Sequence, residues 1–399
     1  RKGLYVLKFF KDCAPRWVIV DQRLPVFVTE GQKPQFVFGK CKNEEELWVP
    51  LIEKAYAKLH GCYEALNGGL IDDGLVDLTG HVAEKIKLRG KGGLLEVPVE
   101  EQKTKNDQLW ERLKKLKAEG TLMGCSIDGE GIESQVIKEG EVTGLLAKHA
   151  YGIIDVIDVP SPNSKKNKHR LLRIRNPWGD CEWKGKWSDN HEKLQENIAQ
   201  VMQYVDRLGE DEKFDPNNPN DGTFLMSFKD WRNIFDNLML SIDFPEEWWG
   251  KRFKGEWTAE NSGGVPTSPN KAHAERWAKN PQYVVELRSK SEVFISLTQQ
   301  DGRYFKDACF PFEDQINTAC FSIMKLSPEE EKLESFDQSR IVKLSVLKLH
   351  RELHLRHDLL PGKYVIVPST MHPGKTGVFW LSVYFSAKKK YVNFYESEK

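Results

Sequence analysis

The chain has 399 residues, more than one ordinary core holds at about 100–200 residues per domain, so two or three domains are expected. Its 59 basic and 59 acidic residues cancel, which removes the long-range field of a nucleic-acid binder or a polybasic membrane-surface protein. No apolar run approaches the roughly 18–20 residues that cross a bilayer, and the opening Arg1-Lys2-Gly3-Leu4-Tyr5-Val6 lacks the zones of a secretory signal. Seven cysteines, an odd count without paired spacing, read as reduced thiols rather than a disulfide framework or a zinc site. A soluble, cytoplasmic protein is expected.

Residues 3–10 and 16–21 read as strands joined by Lys11-Asp12-Cys13-Ala14-Pro15, an opening hairpin. Without an initiator methionine and with a strand under way at once, the chain reads as a fragment cut inside a domain. Leu47, Trp48, Leu51, Ile52, Ala55, Tyr56 and Leu59 recur at helical spacing before Gly61, and Asn43 with Glu46 fits a capping box. After Asn67-Gly68-Gly69 comes a mixed region with a helix near 106–118 and strands at 121–127, 149–159 and 170–176, then a strand and helix over 222–240. Beyond about 255, short strands at 282–288, 292–298, 319–326, 341–349, 363–368 and 377–386 suggest a β-sandwich.

Two segments carry chemistry: Ala147-Lys148-His149-Ala150 and Arg175-Asn176-Pro177-Trp178-Gly179. A cysteine nucleophile needs an imidazole to stabilise its thiolate, and the imidazole needs a partner on its other nitrogen. Asn176 shares strand parity with Leu172 and Ile174, which puts its amide on the apolar face, where a bond to His149 is sheltered from water. Trp178 is placed to cover the pair. Either residue alone reads equally as a satisfied core histidine or an Asn-Pro turn; the combination points to catalysis.

These segments, together with Leu47–Gly61, Tyr63–Gly69, Leu122–Ile127, Trp183–Asp189, Asn280–Tyr283 and Leu360–Thr370, resemble the calpains, calcium-dependent intracellular cysteine endopeptidases of papain-like architecture. The resemblance implies an α+β fold: the rest of a helical protease subdomain at 1–80, a β-rich subdomain at 81–247, and an antiparallel β-sandwich at 256–388. It makes His149 the base, Asn176 its orienter and Gly69 a glycine beside the bound peptide. It also puts the nucleophilic cysteine upstream of Arg1, so the chain alone is expected to be inactive. Cys62, which precedes an aromatic residue and keeps the order Cys, His, Asn, is the one tempting internal candidate, but it does not stand at the family's nucleophile position and reads rather as a packing residue. The family's calcium loops map onto Glu182, Asp189 and Asp221, with Glu46 at a first site; the capping box explains Glu46 equally well.

Two departures accompany the match. Lys148 stands where the family has a glycine before its histidine, and Thr223 where it has a carboxylate. Asp215–Gly222 superficially imitates a calcium loop, but prolines and a missing closing glutamate argue against it. His350, His354 and His357 are not expected to bind zinc, because on a strand His357 faces away from the other two. Protein substrates are expected. The rival is a non-catalytic relative that responds to calcium or phospholipid through its sandwich, with Lys388-Lys389-Lys390 as a weak lipid contact.

Overall fold

The structure is a computed structural model that describes residues 3–41, 43, 45–90, 93–94, 96–130, 133–138, 140–161, 164–189, 191–205, 215, 218, 221–266, 271–302 and 316–397. Pro216, Asn217, Pro219 and Asn220 of the calcium-loop lookalike lie outside these residues. The chain forms two compact units, Arg1–Val82 with Phe244–Lys399, and Ala83–Asp243. Among the described residues no helix is long and apolar enough to cross a membrane.

The first unit opens with the expected hairpin, Leu4–Lys11 against Ala14–Asp21. Asp12 and Cys13 both take positive φ, 50° and 57°, the turn whose twist matches paired strands. Phe9, Val18 and Val20 point inward onto Leu51, Ala55 and Leu59 of the helix Trp48–His60. That helix starts five residues after Asn43, with Leu47 at its N-cap and no side-chain cap bond. The Asn43 side chain instead accepts from the Glu45 N–H at 3.0 Å. The capping-box expectation therefore fails: Asn43 organises the turn before the helix.

A second helix, Ile71–Thr79, was hidden in the sequence because its buried face is acidic: Asp72, Asp73 and Asp77 are all buried. Asp77 accepts from Lys11 Nζ, from Arg351 Nη1 at 2.9 Å and from the Tyr56 hydroxyl at 2.6 Å. Lys11 Nζ also bonds Asp301, and His350 Nε2 lies 3.3 Å from Asp72. Burial alone would raise the Asp301 carboxyl; His60, Arg351 and Lys11 overcome it and hold the group far below the usual carboxylate range. These ions tie the helix, the hairpin and the sandwich strands into one unit.

The sandwich has a four-stranded sheet in the order Trp249–Trp257, Gly377–Phe385, Ser291–Gln299, Glu352–Leu359. Its second sheet runs Ile341–Leu344, Thr318–Leu326, Gly362–Thr370, Tyr283–Leu287, Val392–Glu396, with Lys348–Leu349 also on Thr318–Leu326. Alternate residues of both sheets, among them Val293, Ile295, Leu297, Phe321, Ile323, Leu381 and Val383, fill the core between them. The expected strand 341–349 is two short pieces, and the polar edge strand Trp249–Trp257 lacked the apolar alternation that would have announced it.

The second unit is built on a six-stranded sheet ordered Thr223–Ser227, Ser164–Arg175, Ala150–Ser161, Met123–Ser126, Asn237–Ile242, Val82–Lys87. The helix Val99–Ala118 begins seven residues before the expected start, behind Pro98. Its first turns are almost wholly polar, so only Leu109, Trp110, Leu113 and Leu116, which are buried, carried a readable period. Trp110 donates to Asp158 of the strand Ala150–Ser161 at 2.9 Å.

Replacing Asp77 with Ala leaves Lys11 and Arg351 buried and short of a carboxylate. Urea denaturation is expected to show a loss of about 3–5 kcal/mol; a loss below about 1 kcal/mol would show that the ion cluster is incidental to this unit.

Candidate active site

Antiparallel pairing makes the site. The strands Ala150–Ser161 and Ser164–Arg175 run side by side until Ile174 faces Ile153 and Arg175 faces Gly152, after a bulge at Arg173/Ile174. His149 immediately precedes the first strand and Asn176 immediately follows the second, so their backbones meet at the same sheet end. The bulge moves the partner of each residue by one position, the kind of local re-aiming that bulges supply beside functional groups.

His149 Nε2 lies 2.7 Å from Asn176 Oδ1, with Asn176 fully buried and His149 5 % exposed. The amide is held on every side. Its oxygen also accepts from the Trp178 N–H at 3.0 Å, and its nitrogen donates to the Asp180 carbonyl at 2.6 Å. Asn176 therefore presents an acceptor, and His149 must keep a proton on Nε2. Tyr151 and Trp178 set rings at 5.1 and 4.5 Å from the imidazole, both edge-on. Trp178 is itself mostly exposed, so it shields the pair with one face while the other meets water.

The other imidazole nitrogen, Nδ1, lies 2.8 Å from the carboxylate of Glu133, a residue the sequence did not single out. An acceptor oxygen thus stands against each ring nitrogen, Asn176 Oδ1 on one side and Glu133 on the other. Glu133 stands in an irregular acidic stretch just before the strand Ser134–Lys138, and no spacing there marks it. Neither nitrogen meets sulfur among the described residues. Burial pushes the thiol of Cys125 up to about 12, and burial with neighbouring Asp180 raises that of Cys181. Both thiols of this unit are thereby poor nucleophiles.

Lys148, the residue in the glycine position, has φ +57°. The chain thus uses the left-handed conformation that a glycine would take there at no cost, and its amide donates to the Ile127 carbonyl at 2.8 Å. A second special backbone site supports the pair. Gly222, φ +80°, accepts the Asn176 N–H at 2.7 Å and donates its own N–H to Glu182 Oε1 at 2.7 Å. A Cβ there would stand 2.6 Å from the Asn176 carbonyl oxygen, so glycine alone fits.

Glu182, Asp189 and Asp221 gather beside this link. Both Asp189 oxygens are buried without a hydrogen-bond partner. Burial, then the charges of Glu182 and Asp221, push its carboxyl up to about 8, and burial raises Glu182 as well. The orphaned Asp189 oxygens beside the carboxylates of Glu182 and Asp221, which repel them, are a donor set a hard cation would satisfy. Among the described residues, three ligand atoms already within 4.8 Å of one another occur elsewhere, at His60, Asp77 and Asp301. There, however, the Lys11 ammonium bonds both carboxylates and supplies the positive charge itself. Glu46 spends its carboxylate on Trp48 Nε1 at 2.9 Å and Asn43 Nδ2 at 3.3 Å. Gly69 is an exposed loop glycine and Cys62 a half-buried thiol, both in the first unit. His350 precedes the strand Glu352–Leu359 that carries His354 and His357 at opposite parity.

Comparison with known proteins places these features in a family. Residues 1–241 match the family described as calpain family cysteine protease, and residues 253–384 match calpain large subunit, domain III. Calpain-5 of Mus musculus is 32 % identical over 401 residues, covering 96 % of this chain and 58 % of that protein. The calpain-type cysteine protease DEK1 of Zea mays is 32 % identical, covering 97 % of this chain and 16 % of its own length. The calpain-2 catalytic subunit of Bos taurus is 31 % identical over 98 % of this chain and 53 % of its own. The chain thus spans less than two thirds of these relatives.

Two outcomes follow. A folded Asp189 near 8 against an unfolded value near 4 stays protonated while the unfolded chain ionises, so stability is present at low pH and falls as pH rises through about 4 to 8. Asp189→Asn should flatten that fall in denaturation curves across the window; an unchanged slope would remove the repulsion argument. At Lys148, Gly is expected to be neutral or stabilising, since the left-handed conformation costs an L-residue about 1–2 kcal/mol and glycine's extra chain entropy returns about 0.5–1. Lys148→Val should lose about 1–3 kcal/mol, and a valine variant as stable as the parent would contradict the strained geometry.

Proposed function

Since this chain belongs to the calpain family of cysteine proteases, we propose that it carries the base and orienting amide of a calcium-dependent endopeptidase acting on protein substrates. The observation behind this reading is the buried 2.7 Å bond from His149 to an Asn176 amide that two further hydrogen bonds hold in place. In the proposed reaction His149 takes the proton of a cysteine thiol and the thiolate attacks a peptide carbonyl. The imidazolium then gives its proton to the leaving amine, and His149 next activates the water that releases the acyl group. Asn176 keeps the ring in one tautomer and orientation throughout.

The thiol in this reading comes from sequence upstream of Arg1. Supporting it, the outer face of the opening hairpin leaves Leu4, Val6, Trp17 and Ile19 more than half exposed, an apolar patch of the kind that further chain covers. Six described cysteines are unpaired, in keeping with a reducing, cytoplasmic setting. Calcium would be held by Glu182, Asp189 and Asp221, and its charge would relieve their repulsion next to Gly222. Thr223, half-buried where a further carboxylate is expected, leaves that set one charge short.

Glu133 favours a second reading. A carboxylate on Nδ1 occupies the nitrogen a thiolate needs, as it would in a non-catalytic relative that binds calcium or phospholipid.

The 399-residue chain is expected to show no thiol-dependent peptidase activity. With the upstream sequence joined to it, a fluorogenic peptide should be cleaved in calcium, and His149→Ala should lower kcat/KM by at least about 10²-fold. Cleavage indifferent to His149→Ala would sink the assignment. Activity of the short chain that Cys62→Ser abolishes would move the nucleophile to Cys62. A calcium-induced rise in melting temperature, lost in Asp189→Asn, checks the metal residues separately.

A further inference from the structure

The β-rich unit has a concave site apart from His149 and Asn176. A cleft of about 700 Å³ opens between the first turns of the helix Val99–Ala118, the strand segment Lys168–Leu171, the loop at Lys186 and Trp187, and the segment Ser227–Arg232. Its size is that of a small-molecule site. Its charge is one-sided. Seven Lys or Arg residues line it against two aspartates, in a chain whose charges otherwise cancel.

The two aspartates are already used. Asp107 pairs with Arg170 at 2.6 Å, and Asp230 accepts from the Ser227 hydroxyl at 2.6 Å. Lys168 reaches Asp158 at 3.8 Å. The remaining five, Lys103, Lys186, Lys193, Lys229 and Arg232, have no carboxylate partner among the described residues; Lys193 lies over the Trp187 ring at 5.3 Å. His169 stands 4.9 Å from the same indole, its imidazole held below its usual range by burial and by the Lys193 charge.

Five uncompensated cations converging on one depression repel one another, and a compact polyanion is what relieves them. A flat basic stripe would suit an extended partner. Here the charges come from separate elements around an open cleft that Trp187 and Phe228, both buried, also line. Arginine's fork suits two phosphate oxygens at once, and lysines add point charges around it. We propose that this cleft binds a small ligand bearing clustered phosphates, either free or as the headgroup of a lipid.

The test is isothermal titration of the 399-residue chain with inositol hexakisphosphate. Flotation with vesicles of phosphatidylcholine containing 5 mol % phosphatidylinositol bisphosphate, set against phosphatidylcholine alone, forms a second arm. Saturable micromolar binding is expected, weakening as salt rises. Lys186→Glu with Arg232→Glu should weaken it at least tenfold, while Lys33→Glu with Lys375→Glu, in the other unit, should leave it unchanged. The neutral pair Lys186→Gln with Arg232→Gln, checked by circular dichroism, guards against misfolding and should lose affinity in the same direction. The His169 ring, followed by NMR, should titrate at higher pH in the complex than in the free chain. Binding of the free polyphosphate assigns a soluble ligand, and binding of the vesicles alone, lost in the same variants, assigns a headgroup. No saturable binding in either arm, affinity indifferent to the cleft variants, or equal binding of polyglutamate would each overturn the proposal, the last in favour of an acidic protein segment.

Discussion

The register between the strands Ala150–Ser161 and Ser164–Arg175 is the constraint on which the site depends. His149 and Asn176 are 27 residues apart in sequence, yet each lies one residue outside its strand, so antiparallel pairing alone decides whether they meet. A one-residue slip would turn the flanking side chains to the other face of the sheet. The bulge at Arg173/Ile174 adjusts that register where the site begins. The result is a hydrogen bond formed away from water, where it is strong and its loss is costly.

Around that bond the backbone is specialised rather than regular. Gly222 takes a conformation and a closeness of approach that no other residue fits, and through its two peptide groups it joins Asn176 to Glu182. The acidic cluster and the Asn176 amide are thereby neighbours by one residue. Lys148 accepts left-handed strain on the other side of the pair. Strain of this kind concentrates where geometry serves a function.

Much of this was legible in order and type. The hairpin, the helix before Gly61, most sandwich strands and the His149 and Asn176 segments carry strong periodicity or strand-end polar groups, and they form as the pattern requires. What escaped did so for identifiable reasons. The helix Ile71–Thr79 buries aspartates, so its inward face reads as an outward one until Lys11 and Arg351 are seen to neutralise it. The first turns of Val99–Ala118 are polar and have no period. The capping box at Asn43 failed because its side chain found a nearer donor in the turn.

By itself the sequence carried the motifs whose resemblance pointed to the family, and its apolar period, turn residues and strand-end groups, which are local properties, announced most strands of a closing β-sandwich and an imidazole and an amide placed to meet. Tertiary structure alone decided what the charges do. It brought Glu133 to the free nitrogen of His149, buried an ion cluster in place of an apolar core beneath one helix, and gathered unpaired cations from four stretches of an electrically neutral chain around one cleft. Charge acts through space over several ångströms, and sequence separation carries no record of that distance.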